Sequence, residues 1–177
     1  MQRVLVNSKA KTVLATNPEY WLRAFLQKDY KSGSEGPVKR ALIKALGKLQ
    51  PIQDALSSGK LAKYHFMFGM PYYEDMTVLK KGNKLSVANR VFTLNLPNGS
   101  KLVGVRMPRS VESFVSKIGE DKALVLPYTV LIEKGEALML APKYYLAISY
   151  PRLSMGQFMK ISNTPGAIEK ALKHSIK

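Results

Sequence analysis

Hydrophobic residues change their spacing partway along the chain. From Asn17 to Leu56 they recur every three to four positions, and beyond Leu61 they mostly alternate with polar ones. The first regime predicts helices. Asn17 is an N-cap with Pro18 in the first turn, after which Trp21, Leu22, Phe25 and Leu26 share one face. A loop over 32–36, with Ser34 or Gly36 near the next cap, leads to a second helix opened by Pro37. Its stripe of Val38, Leu42, Ala45, Leu46 and Leu49 opposes Lys39, Arg40, Lys44 and Lys48. Pro51 opens a short third helix through Leu56, stopped at Ser57-Ser58-Gly59. Ahead of these, Val4-Leu5-Val6 reads as a first strand.

The second regime predicts strands. Tyr64, Phe66 and Phe68 alternate with His65 and Met67. Three hairpins follow: 77–79 with 85–87 around Lys80-Lys81-Gly82-Asn83, 91–96 with 101–107 around Pro97-Asn98-Gly99, and 123–132 with 136–140 around Glu133-Lys134-Gly135. Residues 144–150 alternate as a further strand. A brief helix over 110–118 gathers Val111, Phe114, Val115 and Ile118. Thr164-Pro165 caps a C-terminal helix with Ile168, Ala171 and Leu172 inward and Lys170, Lys173 and Lys177 outward. The expected fold is α+β in one domain over 1–177. Residues 1–59 are mainly helical; 60–177 form an antiparallel barrel or sandwich of six to eight strands, closed by the C-terminal helix. The candidate boundary is near Gly59, where the period switches.

Composition supports a packed core, since 46% of the residues are hydrophobic. Charge changes the picture more. Twenty-eight Lys and Arg face twelve Asp and Glu, a formal net charge of +16 with a pI near 10.0. Such self-repulsion is relieved by a polyanion that sheds counterions on docking. The cations are also segregated. No acid occurs between Asp75 and Glu112, an interval holding Lys80, Lys81, Lys84, Arg90, Lys101, Arg106 and Arg109. The second helix has four cations and no acid. Lys143, Arg152 and Lys160 fall in a third acid-free window between Glu136 and Glu169.

These windows predict phosphate contacts. Lys80, Lys81, Lys84, Arg90, Arg106 and Arg109 are expected to form one face, and Lys39, Arg40, Lys44 and Lys48 a second. Tyrosines accompany them. In Tyr72-Tyr73 and Tyr144-Tyr145 a strand turns one ring outward, which makes Tyr73 and Tyr144 candidates for stacking on bases and tilts the expectation toward single strands. The expected function is a non-enzymatic nucleic-acid-binding protein, cytoplasmic or virion-associated. Its partners are nucleic acid and, in a capsid or ribonucleoprotein alternative, further copies of itself. A second alternative is an inhibitor docking on an acidic protein surface.

Other chemistry is poorly served. Cysteine is absent, which excludes disulfides and thiolate metal sites. His65 and His174 are far apart and lack carboxylates at ligand spacing, so neither a metal nor a cofactor is expected. No P-loop, nucleophile elbow or dinucleotide glycine pattern occurs. Asp75, Glu120 and Lys122 match a metal-nuclease template only loosely. No stretch of eighteen apolar residues suggests a membrane span. The second helix has the two faces of a membrane-surface helix, but Val38 to Leu49 carries only aliphatics where such helices usually place Trp or Phe. A core-packed helix with a phosphate-facing side explains it equally well, so no membrane partner is assigned.

Overall fold

The alternation at Val4, Leu5 and Val6 is realised as a strand, β1 (Val4–Asn7). It pairs antiparallel with β2 (Thr12–Ala15) in the register Val4↔Ala15 and Val6↔Val13. This is a computed structural model, and it describes residues 2–50, 76–151 and 153–177. The chain divides into two compact units, Met1–Phe68 and Gly69–Lys177. The expected strand over 64–68, the helix from Pro51 to Leu56 and the boundary at Gly59 lie outside the described residues.

In the first unit the hairpin is followed by α1 (Pro18–Leu26), a 3-10 turn (Gln27–Asp29) and α2 (Gly36–Leu46). Asn17 caps α1 through its Oδ1, which accepts the N–H groups of Glu19 at 3.0 Å and Tyr20 at 3.4 Å. Trp21 and Phe25, one turn apart, stack with centroids 5.6 Å apart. Pro37 sits in the first turn of α2, which ends at Gly47, a left-handed residue (φ 80°) suited to glycine. Lys48 and Leu49, read from the sequence as helical, therefore lie beyond its end. The described part of this unit is a hairpin with two helices rather than a helical region.

The second unit is built on one antiparallel sheet. Its strands are β3 (Met76–Lys81), β4 (Arg90–Asn95), β5 (Lys101–Val105), β6 (Tyr128–Glu133) and β7 (Glu136–Leu140), in the order β3-β7-β6-β5-β4. Among the described residues the sheet is open, not a closed barrel. β3 and β4 follow one another in sequence yet occupy its two edges. The expected hairpin of 77–79 with 85–87 is accordingly not made. Hydrogen bonding sends β3 to β7 instead, and Gly82 N–H donates to the Gly135 carbonyl at 2.8 Å. Val87 bridges Ile176, so the connection is tied to the end of the C-terminal helix.

The two later hairpins form as their turn residues dictate. Lys134 (φ 48°) and Gly135 (φ 75°) join Glu133 to Glu136, a two-residue turn with both φ positive. Gly99 (φ 82°) follows Asn98, whose Oδ1 accepts from the Ser100 N–H at 3.1 Å. Beyond β5 come α3 (Arg109–Glu112), α4 (Phe114–Ile118) and a 3-10 segment (Glu120–Val125). The expected long strand over 123–132 is thus halved, with the Leu126–Pro127 peptide at the division.

Residues 144–150 are not a strand but α5 (Pro142–Ser149). Tyr144, Leu146 and Ile148 alternate in sequence, but Tyr145 between them is buried as well, which a strand covered on one face does not do. Pro142 starts the helix in its first turn. α6 (Met155–Lys160) follows, opened by a capping box between Ser154 and Gln157, and then α7 (Thr164–Ser175). Helices α5 and α7 pack on each other and on the sheet. The core is Val103, Val105, Tyr128, Val130, Ala137 and Met139 from one sheet face with Leu146, Ile148, Ile168 and Leu172 from the helices. Each of the buried Val, Leu, Ile and Met side chains contributes about 1.5–3 kcal/mol by leaving water. The other sheet face is also apolar, with Leu94, Leu102, Leu131, Leu138 and Val78 in one cross-strand row.

Candidate functional site

Sheet register decides which cations meet. Lys80 is opposite Ala137, Ala137 opposite Ile132, and Ile132 opposite Lys101. Lys80, Lys81 and Lys101 therefore stand at one end of the sheet. Arg90 is opposite Val105, which is opposite Tyr128, at the other end. Arg106 follows Val105 directly, and Arg109 begins α3 after Pro108. The single face expected from the sequence is divided in two by the strand directions, with Lys84 on the connection between β3 and β4.

At the Arg90 end a cleft of about 410 Å³ opens between the end of β5 and α7. It is lined by Asn89, Arg106, Met107 and Pro108 on one side and by Ala171, His174 and Ser175 on the other. Its floor is anchored. Met107 is buried, and the Arg106 N–H donates to the Asn89 carbonyl at 2.9 Å. Asn89 is left-handed (φ 54°), a conformation that asparagine tolerates, and it turns the chain into β4 just before Arg90. On the far wall Ala88 N–H donates to the Ser175 carbonyl at 2.7 Å, and Ser86 and Lys177 exchange two backbone hydrogen bonds. These bonds hold the end of α7 in place.

Among the described residues the lining holds no carboxylate. Arg90, Arg106 and Arg109 are exposed, and among the described residues none of them has an ion-pair partner. His174 adds a further polar group. Its Nδ1 lies 2.7 Å from the Lys170 carbonyl, which can only accept, so Nδ1 carries a proton and Nε2 is left for a ligand. A shallower hollow of about 270 Å³ shares His174 and continues along α7 past Lys170 and Lys173. Lys173 is paired with Glu169 at 2.7 Å. Sequence reading missed the part of His174 and Lys170 here. The signal was their i, i+4 spacing on the outward face of a basic helix, but nothing local placed that helix beside Arg106.

The opposite end is less uniformly positive. Lys81 pairs with Glu136 at 2.6 Å, and Asn98 donates to Glu133 at 3.2 Å. In the other unit Lys39, Arg40, Lys44 and Lys48 are exposed and unpaired among the described residues. Of the two stacking candidates, Tyr73 lies outside the described residues. Tyr144 is helical and only 1% exposed, so no base can reach its ring; burial in α5 overturns that expectation. The loose nuclease template is not assembled in what is described: Lys122 pairs with Asp121, and Asp75 lies outside the described residues. Among the described residues no group of three His, Asp or Glu stands close enough to hold a metal ion, and no helix is long and apolar enough to cross a membrane. Comparison with protein-family models, curated proteins and solved structures finds no match.

Proposed function

We propose that the protein binds nucleic acid without acting on it chemically, through phosphate contacts in the cleft between β5 and α7. The observation that carries this reading is a cleft lined by Arg106 and His174 with no carboxylate among its described lining residues, and with exposed Arg90 and Arg109 next to Asn89 and Pro108 in sequence. Guanidinium groups grip phosphate oxygens in a fork, and a concave, acid-free site concentrates their field. With the Tyr144 ring buried, the reading rests on phosphates rather than on base stacking. Lys80 and Lys81, at the far end of the sheet, are left out of this contact.

The test is fluorescence anisotropy with single-stranded DNA, duplex DNA and RNA across a salt series. Binding near 50 mM salt should fall steeply as salt rises, by about 0.7–0.9 in log–log slope for each phosphate neutralised. Arg106→Glu with Arg109→Glu should weaken binding about tenfold or more and flatten that slope, while Lys81→Glu should change little. Equal affinity in the double variant at moderate salt removes the cleft from the interaction. No retention of any oligonucleotide near 50 mM salt removes the function itself.

A further inference from the structure

Helix α2 has no buried residue. The core packing that the sequence allowed for its apolar stripe is not found: Val38 and Leu46 are each 37% exposed and Leu42 is half-buried. At 100° per residue Val38, Ala41, Leu42, Ala45 and Leu46 fall on one arc, while Arg40 and Lys44 fall on the opposite side and Lys39 beside the stripe. No acid follows Glu35 in this helix.

A second element of the same unit repeats the combination in another geometry. On the β1–β2 hairpin, Val6 and Val13 are directly paired and 68% and 52% exposed, and Val4 on the same face is 45% exposed. The connecting turn carries Lys9 and Lys11, both exposed, and no acid. From Gln2 to Gln50 the chain has ten Lys and Arg against three acids. Two of those acids are engaged, Glu19 by Arg23 and Glu35 by Tyr30.

We propose that this N-terminal unit docks on an anionic lipid surface, with α2 lying in the interface and the valine tip of the hairpin as a second contact. Nucleic acid neutralises the cations but leaves both apolar surfaces wet. A protein groove has to match the shape of a helix or of a hairpin. A bilayer interface takes apolar side chains at the acyl boundary and Lys and Arg at the phosphates, and it is indifferent to the secondary structure that presents them. The cations that the sequence assigned to a second nucleic-acid face are thereby assigned to lipid headgroups.

Cosedimentation of the full chain with vesicles tests this, using phosphatidylcholine alone and phosphatidylcholine with about one third phosphatidylserine. Binding is expected only to the anionic vesicles. Arg40→Glu with Lys44→Glu should lower it about tenfold or more, since each cation near such a surface is worth about fivefold. Leu42→Ser with Leu46→Ser should also lower it severalfold while leaving oligonucleotide binding at the cleft unchanged. Both leucines lie outside the packed core, and circular dichroism checks that the fold is kept. Val6→Ser with Val13→Ser gives the same readout from a strand, where helix propensity plays no part. In a Leu46→Trp variant, brominated acyl chains should quench the new emission. The proposal is overturned by no retention on anionic vesicles at physiological salt, by binding that ignores both the leucine and the valine substitutions, or by a loss that appears with oligonucleotide instead of lipid.

Discussion

At Tyr30 a phenol, a guanidinium and a carboxylate meet on the surface of the first unit. The Tyr30 O–H donates to Glu35 Oε2 at 2.7 Å, and the Arg23 guanidinium sits 4.3 Å from the ring centre while its Nε bonds Glu19 Oε1 at 2.9 Å. The chain of contacts joins α1 to the residue that precedes α2. The hydrogen bond from Tyr30 holds the Glu35 carboxyl below its usual value, and the same bond holds the Tyr30 phenol above its own. A depressed carboxyl stabilises the fold above the ordinary carboxylate range, and that contribution is lost as pH falls through the depressed value. The phenol works in the other direction, and its contribution is lost as pH climbs through the raised value. Tyr30→Phe should let the Glu35 carboxyl rise, which NMR titration of its side chain reads directly. The stability gap between wild type and variant should be open at neutral pH and close on acidification. An unmoved Glu35 titration would mean that the bond is not populated in solution.

Turns and caps act at the level of the element. Lys134 pays a backbone penalty in the two-residue turn between β6 and β7, because a left-handed φ suits asparagine and glycine better. Lys134→Asn should stabilise the second unit by about 0.5 kcal/mol, seen as a small rise in melting temperature, whereas Gly135→Val should lower it by more. Such local devices are what the sequence made legible. The Asn17 cap, Pro37, the Asn98-Gly99 turn and the Glu133–Glu136 turn rest on nearby residues, and their elements appear where expected. Failures came where distant partners decide. Period-two spacing at Tyr144, Leu146 and Ile148 predicts a strand because nothing local reveals a helix enclosed on nearly all sides. Residues 85–87 resembled the return strand of a hairpin, but β7, far downstream, claims the edge of β3. For the candidate site, the cations were visible in the sequence, whereas their division between two ends of the sheet follows from register. The addition of His174 follows from tertiary packing.

Across the whole molecule the excess of cations sets a baseline of self-repulsion. Among the described residues only four ion pairs relieve it, two of them between residues one turn apart on a helix and one between sequence neighbours. Exposed pairs of this kind are worth little, about 0–1 kcal/mol each. Simple salt should therefore raise the melting temperature by screening, with most of the rise complete once the Debye length falls below about 8 Å. A melting temperature that falls with sodium chloride would indicate that the attractive pairs, not the repulsion, dominate. The strand order has its own bearing on how the chain is made. β3 leads the sheet in sequence, but its hydrogen-bonding partner is the last strand, with Met76 opposite Leu140. Of the described strands, β4, β5 and β6 have neighbours to join as they emerge during synthesis, while β3 waits for β7. Lys80 and Lys81, left out of the cleft, stand on that waiting edge, where charge discourages another nascent chain from adding itself as the missing strand.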